Sequence, residues 1–343
     1  MNPSPVAISV LLPVRDGQPW LRAACLSVLD NDLPLELVVV DDGSTDGSAE
    51  LLVDLVAVEP RLRVHHQPHL GLVAALNRAL SLARGPLVGR MDADDESAAG
   101  RLDVQVAAWH EAGAPSDLVL SCPVTPFTEQ GEVGAGMARY CDWLNSLRTP
   151  ADHWRERLVE SPLCHPTVVA PTALIRSLGG WRQGDFAEDY DLWLRLLEAG
   201  ARLAKVEGTR YRWRDHPGRL TRVDDRYAVA AFARRKCQHL LATWIRPRNI
   251  SQVQLCGAGR DAKRWCDLLT AAGVSVARVF DLHPGRIGAT IRGHIPVCDH
   301  RDLPAHRQIP TLVTIGRQGG RRQMQAQLAA LGMVEAEDFL CLQ

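Results

Sequence analysis

The chain has 343 residues, enough for two domains, and its 46% apolar and 23% charged fractions are ordinary for a soluble globular protein. Thirty-nine basic residues against forty acidic ones leave a formal net charge of -1, which gives no electrostatic case for a nucleic-acid partner. Nine scattered cysteines form no C-x-x-C pair, and Met1 to Ala7 has neither the basic nor the apolar region of a secretion signal, so a reducing, cytoplasmic setting is expected. The apolar runs are too short for a transmembrane segment. Peripheral membrane contact and a homo-oligomer both stay open.

Taken in chain order, Ile8 to Leu12 reads as a strand stopped by Pro13. A helix follows, with one apolar face formed by Leu21, Ala24, Cys25, Val28 and Leu29. Leu35 to Val40 is a fully apolar run, expected of a strand covered on both faces. Ser48 to Val58 reads as a helix, Leu62 to His66 as a strand, Leu72 to Ala83 as a helix and Leu87 to Met91 as a strand. Arg101 to Glu111 and Leu118 to Pro123 supply one more helix and strand. From about 125 to 180 the pattern is irregular, consistent with loops and short helices. Regularity returns at Glu188, where an acidic start opens an apolar helix ending at Gly200. Tyr227 to Ile245 reads as one long helix, and Arg246 to Asn249 as a boundary. Val253 to Cys256 then starts a second strand–turn–helix unit, with strands near Val276 to Phe280 and Thr311 to Ile315 and a helix from Arg321 to Leu331. The expected domains are 1–245 and 250–343.

Strand–helix alternation argues for a mostly parallel α/β sheet with helices on both faces. Ligands of such sheets bind beyond the carboxyl ends of the strands. Three strand ends carry polar groups: Pro13-Val14-Arg15, Asp41-Asp42 and Asp92-Ala93-Asp94-Asp95. Crowded carboxylates repel unless a cation or polar ligand offsets the repulsion, and hard divalent cations prefer oxygen ligands. One site for a nucleotide diphosphate with its metal is therefore expected.

The ordered motifs resemble family 2 glycosyltransferases of the GT-A fold over roughly residues 6 to 220. Ile8 to Arg15 is similar to the opening strand, Asp41-Asp42-Gly43-Ser44-Thr45-Asp46 to the D-D-G-S-T-D signature, and Gly71 to Asn77 to the segment before the D-x-D region. Arg90 to Asp95 resembles that region. Gly179-Gly180-Trp181 with Glu188-Asp189 resembles the acceptor loop and E-D motif, and Tyr211-Arg212 with His216 the closing segment. Ala99 and His69 depart from the pattern, at positions expected to stand apart from the chemistry.

The resemblance implies an inverting transfer from a UDP-, GDP- or dTDP-linked sugar to a hydroxyl of a glycan, a lipid-linked acceptor or a protein, assisted by Mg²⁺ or Mn²⁺. Asp94 is the candidate metal ligand, with Asp95 able to exchange roles with it and His216 a late ligand or diphosphate contact. Asp92 would lie nearer the ribose, and Asp41 and Asp42 would meet the base edge or ribose. Pro13, Arg15, Asn77, Arg90 and Arg212 complete the nucleotide-sugar set, and Trp181 is a candidate platform for the acceptor sugar. Asp189 is the candidate general base beside Glu188, at a helix start whose dipole favours the ionised form. His165 is expected to be structural.

In the second unit, Gly257-Ala258-Gly259-Arg260-Asp261-Ala262 fits G-x-G-x-x-A, with Asp281 about twenty residues on, a loose dinucleotide fingerprint. Gly293 to Val297 resembles the small Rossmann-like domain found ahead of some sugar acyltransferases. Ligand binding and a packing or oligomerising role both stay open there. Three rival functions remain: a sugar nucleotidyltransferase, whose basic Gly-rich loop Leu11 to Gly17 does not provide, a non-catalytic nucleotide-sugar sensor or scaffold, and NAD-linked redox chemistry in residues 250 to 343.

Overall fold

The structure, a computed structural model, describes residues 6–316 and 319–343. Residues 1–5, part of the segment read above for a secretion signal, lie outside the described residues. The chain divides into two compact units, Met1–Trp154 with Pro162–Asp224, and Arg155–Ser161 with Asp225–Gln343.

The first unit opens with β1 (Ile8–Val14), α1 (Leu21–Leu29), β2 (Leu35–Asp41), α2 (Ser48–Val58), β3 (Leu62–His66), α3 (Leu72–Leu82) and β4 (Leu87–Arg90). The face buried by α1 is the one its apolar spacing predicts: Leu21, Ala24, Cys25, Val28 and Leu29. All seven residues of β2 are buried, including Glu36. That carboxylate is tolerated because Ser9 Oγ (2.6 Å), Arg63 (2.6 Å) and the Arg84 amide (2.7 Å) all donate to it.

Pro13 does not stop β1, which runs on to Val14 beside Asp41 of β2. The pairing of β1 with β4 ends at Leu11, opposite Arg90. Leu11 accepts from Met91 on that side, and Pro13, two residues on, presents its missing N–H to the same side, where no ladder remains.

The rest of the unit comprises β5 (Glu96–Ser97), α4 (Arg101–Glu111), β6 (Leu118–Ser121), β7 (Val124–Phe127), α5 (Ala135–Ser146), all but the last two residues of α6 (Pro150–Glu156), β8 (Val169–Pro171), α7 (Thr172–Ser177), α8 (Glu188–Glu198), β9 (Arg202–Lys205), β10 (Tyr211–Arg214) and α9 (Leu220–Val223). The main sheet has the order β3-β2-β1-β4-β8-β6-β9, parallel except for β8, which runs antiparallel to β4 and β6. A three-residue strand leaves no periodicity to read, so β8 was hidden in the irregular stretch. A small sheet, β5-β10-β7, ties the loop after β4 to the closing segment.

In the second unit the expected single helix is α10 (Val229–Leu240), continued by a wider π-type turn over Leu241–Ile245. Then come β11 (Gln252–Cys256), α11 (Arg260–Ala271), β12 (Ser275–Asp281), β13 (Thr290–Ile291), β14 (Ile295–Asp299), β15 (Thr311–Val313), α12 (Gly320–Ala330) and β16 (Phe339–Cys341). The sheet order is β13-β14-β12-β11-β15-β16, with β13 antiparallel to its neighbour. Leu255, Trp265, Leu269, Val279 and Leu312 sit in its core. Among the described residues no helix is long and apolar enough to cross a membrane.

Candidate active site

Strands β3, β2, β1 and β4 are parallel neighbours, so their carboxyl ends open on one edge of the sheet. After Met91 closes the β4 ladder on Leu11, the chain turns and releases its acids. One oxygen from each of Asp92, Asp94 and Asp95 lies within 4.8 Å of the others. Such a set is costly without compensation, and each member is compensated differently.

Asp92 contacts the buried guanidinium of Arg90. Burial raises the Asp92 carboxyl, and Arg90 offsets only part of the rise. Asp94 is bonded to His216 Nε2 at 2.8 Å; burial alone would raise it, but this partner holds it below the usual carboxylate range. Asp95 is 1% exposed and takes the Arg214 amide at 2.7 Å. Burial, then Asp94 and Asp92, push its carboxyl well up. Among the described residues its Oδ2 accepts no hydrogen bond of proper geometry, although the Tyr211 hydroxyl lies near enough to favour its charge. Clustered carboxylate oxygens, one of them orphaned, beside an imidazole are a donor set that suits Mg²⁺ or Mn²⁺.

Asp189 stands in the first turn of α8 beside Glu188. Its Oδ1 takes the amide of its neighbour Tyr190 at 2.6 Å. The helix start was expected to keep it ionised, and the structure reverses that. Burial, then the charge of Glu188, raise its pKa to about 8. A helix dipole contributes a few tenths to 1 kcal/mol at an exposed terminus, about 2 kcal/mol at most, less than the desolvation of a carboxylate among other carboxylates.

The loop carrying Trp181 is fixed from two sides. Asn77 pairs its side-chain amide with Trp181, accepting from N at 3.0 Å and donating to O at 2.8 Å. Gly180 has φ +66°, and a Cβ there would meet Asn77 Oδ1 at 2.3 Å, so only glycine fits. Arg195, buried against Asp191 at 2.8 Å, donates to Leu178 O and Gly180 O at 2.9 and 2.8 Å. The ring of Trp181 is itself buried, with Nε1 donating to His165 Nε2 at 3.0 Å. Burial, then the nearby Arg90 charge, hold His165 well below its usual pKa, so it is neutral. Asn77 and Trp181 thus have partners inside the fold.

At the end of β2 the two acids differ. Asp41 takes the Ser44 amide at 3.1 Å and His66 Nδ1 at 2.9 Å. Asp42 receives four donors: Gln67 (2.7 Å), His69 Nδ1 (2.8 Å) and the Leu70 and Gly71 amides (2.8 Å each). Burial would raise it, and these donors hold its pKa low. His69, expected to stand apart, bonds both Asp42 and Arg15, the latter at 2.8 Å.

Arg212 reaches Glu96 at 2.5 Å and lies over Phe127, with half of its side chain exposed. The sequence reading missed Arg214, two residues on and buried. Its Nε donates to Asp94 O at 2.6 Å, Nη1 to Glu129 at 2.5 Å and Nη2 to Glu96 at 3.0 Å. Arg214 therefore braces the acidic loop. The alternation Arg212-Trp213-Arg214 marked both arginines for one strand face, but not which of them would be buried.

A parallel-rich sheet with acids crowded at its carboxyl edge, closed by a small second sheet, defines a GT-A transferase fold. The family described as Glycosyl transferase family 2 matches residues 9–156. The chain is 28% identical over 248 residues to the putative glycosyltransferase EpsE of Bacillus subtilis, covering 70% of this chain and 84% of that one. It is 25% identical over 195 residues to a chondroitin synthase of Pasteurella multocida, covering 56% of this chain but only 19% of that protein. In fold it is similar to residues 1–349 of S. aureus TarS, solved with UDP-GlcNAc, with a TM-score of 0.54, 21% identity and coverage of 69% of this chain and 67% of that one. Within the N-terminal unit, residues 9–156 match a family 2 glycosyltransferase domain.

Proposed function

We propose that the protein is an inverting, metal-assisted glycosyltransferase that moves a sugar from a nucleotide diphosphate to an acceptor hydroxyl in the building of a surface polysaccharide. The observation that carries this reading is the trio Asp92, Asp94 and Asp95 within 4.8 Å, with His216 on Asp94. The relatives support the polysaccharide setting, since one is named a chondroitin synthase.

Asp94 and Asp95, with His216, would hold Mg²⁺ or Mn²⁺, which when bound supplies a Lewis acid for the departing diphosphate. Arg90 keeps Asp92 in place and adds a buried positive charge near the site. Asp189 accepts the proton of the acceptor hydroxyl as its oxygen bonds to the sugar's anomeric carbon. The bond from that carbon to the diphosphate breaks on the opposite face. A base with a pKa of about 8 takes a proton more readily than an ordinary aspartate, provided it starts deprotonated.

The test is nucleotide release from UDP-, GDP- and dTDP-sugars, starting with UDP-GlcNAc, with Mn²⁺ or with EDTA. Release from one donor, dependent on metal and lost in Asp94→Ala, is expected. If no donor releases nucleotide and none shifts the melting temperature of the folded protein, the reading fails.

A further inference from the structure

We propose that the N-terminal unit carries a second ligand site, a cavity of about 530 Å³ at the far end of β10 from Asp95, that binds a saccharide bearing a carboxylate or phosphate. The site is separate from the acidic edge. The Arg214 amide, at one end of β10, reaches Asp95, whereas Arg210 precedes the other end and its carbonyl accepts the Ala98 amide at 3.3 Å. Four residues of strand place the two ends about 13 Å apart. The proposal does not depend on the transfer chemistry.

Charge selects the ligand. Three cations, Arg148, Lys205 and Arg210, line the cavity against one carboxylate, Glu207. Glu207 is already paired with Arg148. The ammonium of Lys205 donates to the carbonyl of Leu144, and no carboxylate among the described residues forms an ion pair with it. Burial pushes its pKa down to about 8, the cost of a cation kept from water without a counter-charge. Arg210 is exposed, and no carboxylate among the described residues forms an ion pair with it. An anionic group in the cavity would supply the missing counter-charge.

A second observation is independent of charge. Thr209, also in the lining, is only 8% exposed, and its buried Oγ1 has no hydrogen-bond partner among the described residues. Orphaned buried hydroxyls are uncommon, and each costs free energy until something pairs with it. A ligand hydroxyl would satisfy it once the side chain turns its oxygen towards the cavity. The volume falls within the range of small-molecule sites, and Ala98 and Ala99 add a small apolar wall against which a sugar ring's C–H face would rest. An anion that also brings hydroxyls and a C–H face is an acidic or phosphorylated sugar.

The test is calorimetric titration of the full-length protein, with EDTA present to silence the acidic edge. The probes are glucuronic acid, glucose 6-phosphate, glucose and inorganic phosphate. At least one of the two anionic sugars is expected to bind at least tenfold more tightly than glucose and than inorganic phosphate, and which one binds identifies the anion. Arg210→Ala and Lys205→Met are each expected to weaken that binding about tenfold or more, the loss of one charged hydrogen bond. Arg210 is exposed, so its variant decides the matter even if Lys205→Met fails to fold. Three results overturn the proposal: neither anionic sugar binds better than glucose, inorganic phosphate binds as tightly as the better of the two anionic sugars, or Arg210→Ala leaves binding of that sugar unchanged.

Discussion

Two strand ends in this molecule carry acids beside a turn, and they use them in opposite ways. After β12, Asp281 takes the Ala258 amide of the glycine turn at 2.6 Å, the His283 amide at 2.7 Å and Arg286 at 3.1 Å. Burial would raise its carboxyl, but these donors hold it low. The acid that a dinucleotide fingerprint would place on a ribose is folded back on its own turn. After β4, Asp92 and Asp95 are raised by burial and mutual repulsion, and Asp95 keeps an orphaned oxygen. An acid saturated by the fold contributes to stability. An acid crowded against its own kind costs stability, which a ligand can recover. Asp42, with four donors, resembles Asp281 in this respect more than it resembles Asp95.

The largest effect that would break this contrast is on the acidic edge. Asp189→Asn is expected to lower kcat about 10²–10⁴-fold, the usual share of a general base, with little change in donor affinity. Steady-state kinetics with a titration of the donor would show it, and retained turnover would remove Asp189 from the mechanism. Asp94→Ala is expected to cost about 10²–10³-fold in nucleotide release, with the metal dependence lost. Asp189→Asn should not lower the melting temperature, because burial and the charge of Glu188 make that ionised acid unfavourable in the fold.

The pH dependence sharpens the same point. Asp189 must be ionised to act, so kcat/KM should rise with pH towards a plateau above about pH 8. Stability should move the other way. A folded pKa above the unfolded value means a contribution fully present below about pH 4 and lost as pH rises through about 8. Metal-free Asp189→Asn should therefore melt above wild type at pH 9, with the gap closing towards pH 5. A flat rate profile would mean that proton removal does not limit turnover.

Two smaller effects test the scaffold. Gly180→Ala forces a Cβ onto Asn77 at a positive φ, and is expected to cost about 1–3 kcal/mol and to lower turnover by shifting the Trp181 loop. Asp281→Ala is expected to destabilise the C-terminal unit by about 1–3 kcal/mol through unpaired amides, leaving nucleotide release unchanged. The folded pKa of Asp281 lies below its unfolded value, so its contribution is present above about pH 4 and lost as pH falls through the folded value. Melting curves at pH 7 and pH 3 for wild type and variant would reveal it.

The sequence by itself determined strands β1 to β4, the helices between them and the edge where the acids gather. Alternating runs of buried strand and one-faced helix are written in local periodicity, which is why the α1 face and the β2 run were legible residue by residue. The order of motifs from Asp41 to His216 likewise marked the family. What only the tertiary structure decided was the state of each charge. Whether Asp42 is saturated or Asp95 is orphaned depends on donors 25 to 119 residues away. Whether Asp189 is ionised depends on burial outweighing a helix terminus, and whether Arg214 rather than Arg212 braces the acidic loop depends on which one the small sheet encloses. Desolvation and long-range hydrogen bonds set those outcomes, and neither has a local signature in the chain.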